Sequence, residues 1–448
     1  MESLVISIFL IGYLMIALEH PIKINKTASA LLTGVLCWTL FAIGKPSANF
    51  LTSDLFVSFL NTAQQNTSTA IDHLHREYVL ESLTHHLGEI AQILFFLMGA
   101  MTIVELIDAH HGFRFITERI KTKNAVRLLW IVCSVTFFLS AVLDNLTTTI
   151  VMVSLIRKVI PKKEMRLFFA GMIILAANAG GAWSPIGDVT TTMLWIGGQI
   201  SAGKIITSLF VPSLISMIAP LLVLSFSLKG EVGSMPTESH PETEYAGNGK
   251  LMLILGILAL VGVPVFKTIT HLPPYLGMLL GLGVLWVVSE LINPDLDEAI
   301  RKKFTAAYAL GKIDMPSVLF FLGILLAVGA LQSMAVLSGF ASWLDSAFRD
   351  TRVIITLIGV LSSIVDNVPL VAASIGMYNL ADYPTDTMIW HYLAYCAGTG
   401  GSMLVIGSAA GVAAMGMEKI EFIWYLKNIS WLATVGYAAG ATAYLLLL

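Results

Sequence analysis

Charged residues are scarce in this chain: only 12% of its 448 residues are Asp, Glu, Lys or Arg, while 56% are hydrophobic and the mean hydropathy is +0.81. A soluble globular protein carries about twice that charged fraction, so a soluble fold is excluded and an all-α polytopic membrane protein is implied. No basic patch of the kind that holds nucleic acid is present. The net charge of −3 says nothing about partners, because placement relative to the membrane is what matters. Cysteine is nearly absent. Cys37, Cys133 and Cys396 lie in apolar segments with neither paired nor metal-ligand spacing, and read as small buried residues rather than disulfide partners. The opening Met-Glu-Ser brings no basic n-region and no small-residue cleavage motif, which argues for a retained first span rather than a signal peptide. Neither a cofactor nor an enzyme is implied.

What is abundant is apolar sequence. Runs long enough to span a bilayer, about 17–25 residues, fall near 3–19, 27–44, 89–108, 205–228, 250–269, 274–292, 316–341 and 422–448. Four other apolar segments are interrupted. Residues 128–160 and 353–381 carry a central Asp-Asn. Residues 166–199 and 387–417 carry glycine-rich polar runs, Asn178-Ala-Gly-Gly-Ala-Trp-Ser-Pro-Ile-Gly-Asp188 and Gly398-Thr-Gly-Gly-Ser402. Lys23 and Lys26 after the first span, and Arg114, Arg119, Lys121, Lys123 and Arg127 after the third, mark cytoplasmic loops and put the N-terminus outside.

Segment 128–160 has Arg127 before it and Arg157, Lys158, Lys162 and Lys163 closing it, so both of its ends belong on the cytoplasmic side. An arm from Leu128 to Val142 rises only about 22 Å, short of a hydrocarbon core roughly 30 Å thick. The segment therefore reads as a re-entrant hairpin with Asp144-Asn145 at its tip. The alternative, two spans with an outside loop, leaves too few residues per arm. Carried forward, the count makes 166–199 a broken outward crossing and 229–249 a polar cytoplasmic linker. Arg301, Lys302, Lys303 and Lys312 mark the cytoplasm again, and 353–381 is then a hairpin entering from outside. Residues 1–228 and 250–448 form two inverted-topology repeats, each with a re-entrant helical hairpin and a broken transmembrane helix. Phe95-Phe-Leu-Met-Gly and Phe320-Phe-Leu-Gly recur ahead of the two hairpins. The asymmetry is 45–88, an external loop with room for a short helix.

An ionisable side chain deep in a bilayer costs about 2.5–3.5 kcal/mol, so Asp144-Asn145 and Asp366-Asn367, about 220 residues apart, are the leading site candidates. Non-helical backbone at membrane depth is tolerated only where protein buries it or water reaches it. Two tips and two breaks thus converge into an oxygen-rich set suited to hard cations such as Na⁺ and Li⁺. The plain alternative is that Asp144 and Asp366 cap the second hairpin arms, although a neutral Ser or Asn would cap at lower desolvation cost. Asn178 and Asp188 bracket the first break, with Asp188 either a third carboxylate or the N-cap of the outgoing half-helix. Thr147, Thr148, Thr149, Thr399, Ser402 and Ser408 offer hydroxyls, and the second break has no carboxylate. Glu89, Glu105, Asp108, His85-His86 and His110-His111 read as interfacial or solvated.

These motifs carry a resemblance. The Asp-Asn-Leu-Thr-Thr tip, the Asn-Ala-Gly-Gly-x-Trp-Ser-Pro-Ile-Gly-Asp-Val-Thr-Thr break and the Ser-x-x-x-Asp-Asn-Val-Pro tip resemble the NhaD-type Na⁺/H⁺ antiporters of the ion transporter superfamily, over nearly the whole chain. The resemblance implies a homodimer in the lipid bilayer of a bacterial inner membrane. It also implies functional polar residues at Ser140, Asp144, Asn145, Asn178, Asp188, Thr190, Thr191, Ser362, Asp366 and Asn367. The expected activity is exchange by competition, with Na⁺ or Li⁺ held at Asp144, Asn145, Asp366 and Asn367 and with cation and protons competing for the carboxylates of Asp144, Asp366 and Asp188. Two rivals follow from the same superfamily: an arsenite or antimonite efflux permease and a Na⁺-coupled anion symporter.

Overall fold

In the computed structural model residues 2–62, 71–117, 122, 124–228, 248–292 and 297–447 are described, and every regular element among them is a helix. In chain order the main helices are α1 (Glu2–Ala17), α2 (Lys26–Ile43), α3 (Ile71–Ala109), α4 (Ala125–Leu143), α5 (Asn145–Val159) and α6 (Lys163–Ala182). Then come α7 (Val189–Ile196), α8 (Ala202–Ser227), α9 (Gly249–Thr270), α10 (Pro274–Leu291), α11 (Met315–Ser333) and α12 (Val336–Phe348). The last six are α13 (Thr351–Leu361), α14 (Asn367–Met377), α15 (Met388–Gly400), α16 (Ala409–Glu418), α17 (Phe422–Asn428) and α18 (Ser430–Leu447). Nine helices among the described residues are long and apolar enough to cross a membrane, and this is an integral multi-pass membrane protein. Helices suit that setting because each satisfies its own backbone polar groups where no water reaches. Arg119, Lys121, Lys123 and the linker up to residue 247 lie outside the described residues.

The chain forms two compact units. The first comprises Met1–Leu94, Asp314–Ile354 and Val368–Pro384. Its centre is the contact of α2 with α11, two helices brought together by glycine. A Cβ on Gly34 would sit 2.5 Å from the Gly323 carbonyl oxygen, and one on Gly323 would sit 2.5 Å from the backbone of Ala30 and Leu31. Thr27 Oγ1 donates to the Pro316 carbonyl (2.9 Å) and Trp38 Nε1 to the Leu326 carbonyl (2.8 Å), so paired positions rise together and the helices run parallel.

Two expectations are corrected in this unit. The segment 45–88 is not a loop with one short helix: Asp54–Thr62 is helical, and from Ile71 the chain is already in α3. The span expected at 89–108 is the second half of this 39-residue helix, about 58 Å long at 1.5 Å per residue. His73–Glu77 (3.5 Å) and His85–Glu89 (3.3 Å), spaced i,i+4, support its polar first half. The span expected at 316–341 is two helices, because α11 stops at Ser333 and Ala335 takes a left-handed φ of 58° before α12.

The second unit comprises Phe95–Ile313, Ile355–Asn367 and Thr385–Leu448. Here α4 and α5 are joined by Asp144 alone. The entering arm has 19 residues, about 28 Å, so its length does not by itself forbid a crossing; the leaving arm, 15 residues and about 22 Å, is the short one. The breaks are also displaced from expectation. Helix α6 continues through Asn178 to Ala182, so the first interruption is 183–188, and α15 continues to Gly400, so the second is 401–408. The two broken segments run antiparallel. The chain after α7 meets the chain before α15, where Asp386 Oδ1 accepts from the Ser201 N–H (2.7 Å) and the Asp386 N–H donates to the Gln199 carbonyl (2.9 Å). At the opposite ends Arg166 near the start of α6 reaches Glu418 at the end of α16 (3.1 Å).

Gly323→Leu is expected to force α2 and α11 apart. Overpacking of a tight core costs about 1–3 kcal/mol, so the melting temperature of the detergent-solubilised protein should fall by about 5 °C. Thermal denaturation followed by tryptophan fluorescence checks it.

Candidate functional site

The site is built from backbone that has stopped being helical. Asp144 has φ 82° and ψ 160°, which ends α4 and starts α5 within one residue. Its carboxylate is committed to that turn: it accepts from the Thr147 N–H (2.8 Å) and from Thr147 Oγ1 (2.8 Å). Asp144 is thus an N-cap, the role weighed against ion binding for it, and the carboxylate satisfies two donors of its own helix. What the tip delivers to the interior is Asn145. Its Nδ2 donates to Asn178 Oδ1 (3.0 Å) and to Asp188 Oδ1 (3.3 Å).

Asp188 is the hub. It holds the N-cap position of α7 through its backbone, and its side chain makes no capping bond to that helix. Instead Oδ2 accepts from Thr190 Oγ1 (2.7 Å) and from Asn367 Nδ2 of the second tip (3.2 Å), while Oδ1 accepts from Asn145. Asn178 extends the network into the second break, donating through Nδ2 to Ser402 Oγ (2.9 Å) and Ser408 Oγ (3.0 Å). All of these side chains are buried. Among the described residues no Lys or Arg pairs with Asp188, and its carboxylate lies within electrostatic reach of both Asp144 and Asp366.

The same packing recurs in both halves. Ser140, four residues before Asp144, donates to the Ala177 carbonyl (2.6 Å), and Ser362, four before Asp366, donates to the Ala397 carbonyl (2.8 Å). A Cβ on Gly180 would meet the Phe137 carbonyl oxygen at 2.2 Å, and one on Gly400 the Gly359 carbonyl oxygen at 2.0 Å. These close approaches seat each broken segment against its hairpin. They also match Asp188 with Ser408, whose backbone angles are nearly the same (φ −146°, ψ 149° against φ −143°, ψ 153°). Ser408 Oγ does cap its helix, accepting from the Gly411 N–H (3.1 Å).

Of the residues picked out by sequence, the structure gathers Asn145, Asn178, Asp188, Asn367, Thr190 and Ser402 into one hydrogen-bonded cluster, with Ser408 beside them. Asp144 and Thr147 bond each other. Ser140 and Ser362 brace the tips, whereas Thr191 Oγ1 turns to the Asp188 carbonyl (2.9 Å) and Thr399 Oγ1 to the Tyr395 carbonyl (2.6 Å). Asp366 is half-buried beside the hub. The Thr148 and Thr149 hydroxyls are buried in α5 without a partner. Sequence reasoning missed Glu418, a buried carboxylate held by Arg157 (2.8 Å) and Arg166 (3.1 Å). The only trace of it was an acid at the end of an apolar segment, and Arg157 was already read as an orientation signal.

The family description "Citrate transporter" matches residues 13–394. The chain belongs to this family of transporters. A relative from Arabidopsis thaliana named "Sodium/proton antiporter 1" is 48% identical over 441 residues, 98% of this chain and 71% of that one. "Na(+)/H(+) antiporter NhaD" from Vibrio cholerae is 29% identical over 466 residues, 98% of this chain and 90% of its own, in keeping with the NhaD-type resemblance. The solved structure of the YdaH transporter of Alcanivorax borkumensis superposes with a TM-score of 0.59 at 10% identity, covering 93% of this chain and 97% of that one, and shares the fold of this member of the family.

Because the Asp144 carboxylate acts as a cap, Asp144→Ala should cost about 1 kcal/mol of stability while Asp144→Ser and Asp144→Asn keep most of it. Melting of the three purified variants separates the two outcomes.

Proposed function

We propose that this protein is a secondary transporter, not an enzyme, that exchanges Na⁺ or Li⁺ for H⁺. The observation that carries the reading is Asp188: a buried carboxylate whose partners are all neutral. An isolated buried charge is expensive, and it is relieved by a bound cation or by protonation. Cation and proton therefore compete for one group, which is the elementary step of exchange.

The surrounding side chains suit both states. Asn145, Asn178 and Asn367 each carry an amide whose oxygen accepts and whose nitrogen donates. Turned as they stand, the Asn145 and Asn367 nitrogens serve the carboxylate. Rotated, the oxygens join Asp188, Ser402 and Ser408 as ligands of a hard cation, which prefers oxygen donors. Asp144 and Asp366 add negative potential from the two tips, and the Thr148 and Thr149 hydroxyls are further oxygens without partners. The relatives named sodium/proton antiporter support this reading. The rival Na⁺-coupled anion symporter gains the family's description, yet a polyanion such as citrate would meet a carboxylate hub with which no Lys or Arg pairs among the described residues. Nothing in the cluster favours arsenite.

The proposed arrangement is two inverted repeats, residues 1–228 and 250–448, with the N-terminus outside. The antiparallel broken segments support it. So does the parallel pair α2 and α11, each with a lysine at or just before its start (Lys26, Lys312) expected on the cytoplasmic side. A homodimer is the proposed assembly; a bacterial inner membrane has the support of the Vibrio cholerae relative at 29% identity, against the Arabidopsis thaliana relative at 48%.

Everything turns on Asp188. In proteoliposomes carrying a pH-sensitive dye, Na⁺ and Li⁺ should drive proton movement, and citrate and arsenite should not. Asp188→Asn should reduce the rate by about 100-fold or more, since it removes the only charge at the hub. Retention of Na⁺-driven proton release by that variant would sink the reading. Competition also fixes a pH sign. Lower pH loads the carboxylate with protons, so half-saturating Na⁺ should rise as pH falls, approaching about tenfold per pH unit where one proton displaces one cation. An initial-rate series across pH checks the slope.

A further inference from the structure

We infer that Glu418 is a positioning residue of the exchange site, resting on the reading above: it fixes the far ends of the three helices whose near ends carry Asn145, Asn178 and Ser408. Its side chain is 1% exposed, and its two oxygens are divided between two arginines. Arg157 Nε, near the end of α5, donates to Oε1 (2.8 Å), and Arg166 Nε, near the start of α6, donates to Oε2 (3.1 Å). Each arginine also grips backbone. The Arg157 guanidinium donates to the Met417 carbonyl at the end of α16, and Arg166 Nη1 donates to the carbonyls of Ile160 (3.0 Å) and Pro161 (3.1 Å) between α5 and α6. One carboxylate thereby joins the end of α5, the start of α6 and the end of α16.

Those same helices deliver the cluster. α5 begins with Asn145, α6 carries Asn178 about 18 Å from Arg166, and α16 begins after Ser408, about 15 Å from Glu418 by helical rise. α5 packs on α16, and α6 packs on both. A helix is stiff along its axis, so a shift at the clasp appears as a slide at the other end. The bonds Asn145–Asn178, Asn178–Ser402 and Asn178–Ser408 lie between 2.9 and 3.0 Å. A slide of half an ångström or so would carry them to the edge of hydrogen-bonding range. A glutamine in place of Glu418 keeps the shape but leaves two guanidinium groups side by side with no counter-charge.

The test compares the parent with Glu418→Gln, Arg157→Gln and the reciprocal Glu418→Arg/Arg157→Glu pair. Two quantities are read: half-saturating Na⁺ against maximal exchange rate in proteoliposomes, and hydrogen–deuterium exchange of the two breaks, 183–188 and 401–408, in detergent. Residues that act on a distant site through packed elements modulate it by about 0.5–2 kcal/mol, so Glu418→Gln should raise half-saturating Na⁺ by about tenfold with the maximal rate little changed. Exchange at both breaks should quicken. Arg157→Gln should move both in the same direction by less, and the reciprocal pair should recover most of the loss, which a generally loosened protein would not do. If Glu418→Gln does not fold, substitution of the half-exposed Arg157 decides the question in its place. A folded variant with unchanged deuterium uptake at the breaks and half-saturating Na⁺ within about twofold of the parent overturns the inference. If the parent itself moves no protons on Na⁺ addition, the functional reading fails; the deuterium comparison then still decides whether Glu418 positions the breaks.

Discussion

A buried carboxylate held only by neutral donors sets the terms for the second unit. Asp188 can stay where it is because asparagine amides from both hairpin tips and one threonine hydroxyl reach it. Each donor comes from a different local geometry, two from tips and one from the following helical turn. For all three to converge, the tips must enter the protein at one depth and the breaks must pass beside them. The serine braces at Ser140 and Ser362 and the close approaches at Gly180 and Gly400 accomplish this. A side chain at either glycine would meet backbone carbonyl, which has no rotamer with which to yield.

Much of this was legible in the sequence, for a reason of cost. Ionisable and amide side chains in apolar runs are rare enough that Asp144-Asn145, Asp366-Asn367, Asn178 and Asp188 stood out. The division of labour within each pair was not legible. Asp144 carries the charge of its pair, and a single-residue reversal at φ 82° leaves Thr147 N–H and Oγ1 facing its carboxylate, which gives it a capping role. The asparagine beside it makes the longer-range contacts. For Asp188 the sequence left two roles open, and backbone geometry separates them: the main chain caps α7 while the side chain turns inward.

Other misreadings have equally local causes. The polar first half of α3 looked like a loop because its acids and histidines lower the hydropathy, although their i,i+4 spacing is a helix signal. The break at Ala335 carries no glycine or proline to announce it; a left-handed alanine is a feature of the surrounding packing. Glu418 was invisible because its partners, Arg157 and Arg166, lie more than 250 residues away in sequence. Charge counting explained Arg157 as an orientation signal, and an arginine can serve that purpose and a buried carboxylate together.

The correspondence of Asp188 with Ser408 then explains why the two breaks differ in chemistry. Had both positions been aspartate, the site would hold a further buried carboxylate, and two unit charges about 4 Å apart repel by about 4 kcal/mol at an effective dielectric of 20. Asp144 and Asp366 already stand within electrostatic reach of Asp188. One cation of unit charge cannot offset that much negative charge, and a site so loaded would hold its protons at any ordinary pH or demand a divalent ion. Serine at the matching position keeps the helix cap and the oxygen while removing the charge. One unpaired carboxylate at the hub is the amount that a single monovalent cation, or a single proton, neutralises. The asymmetry therefore fits the exchange proposed for this site.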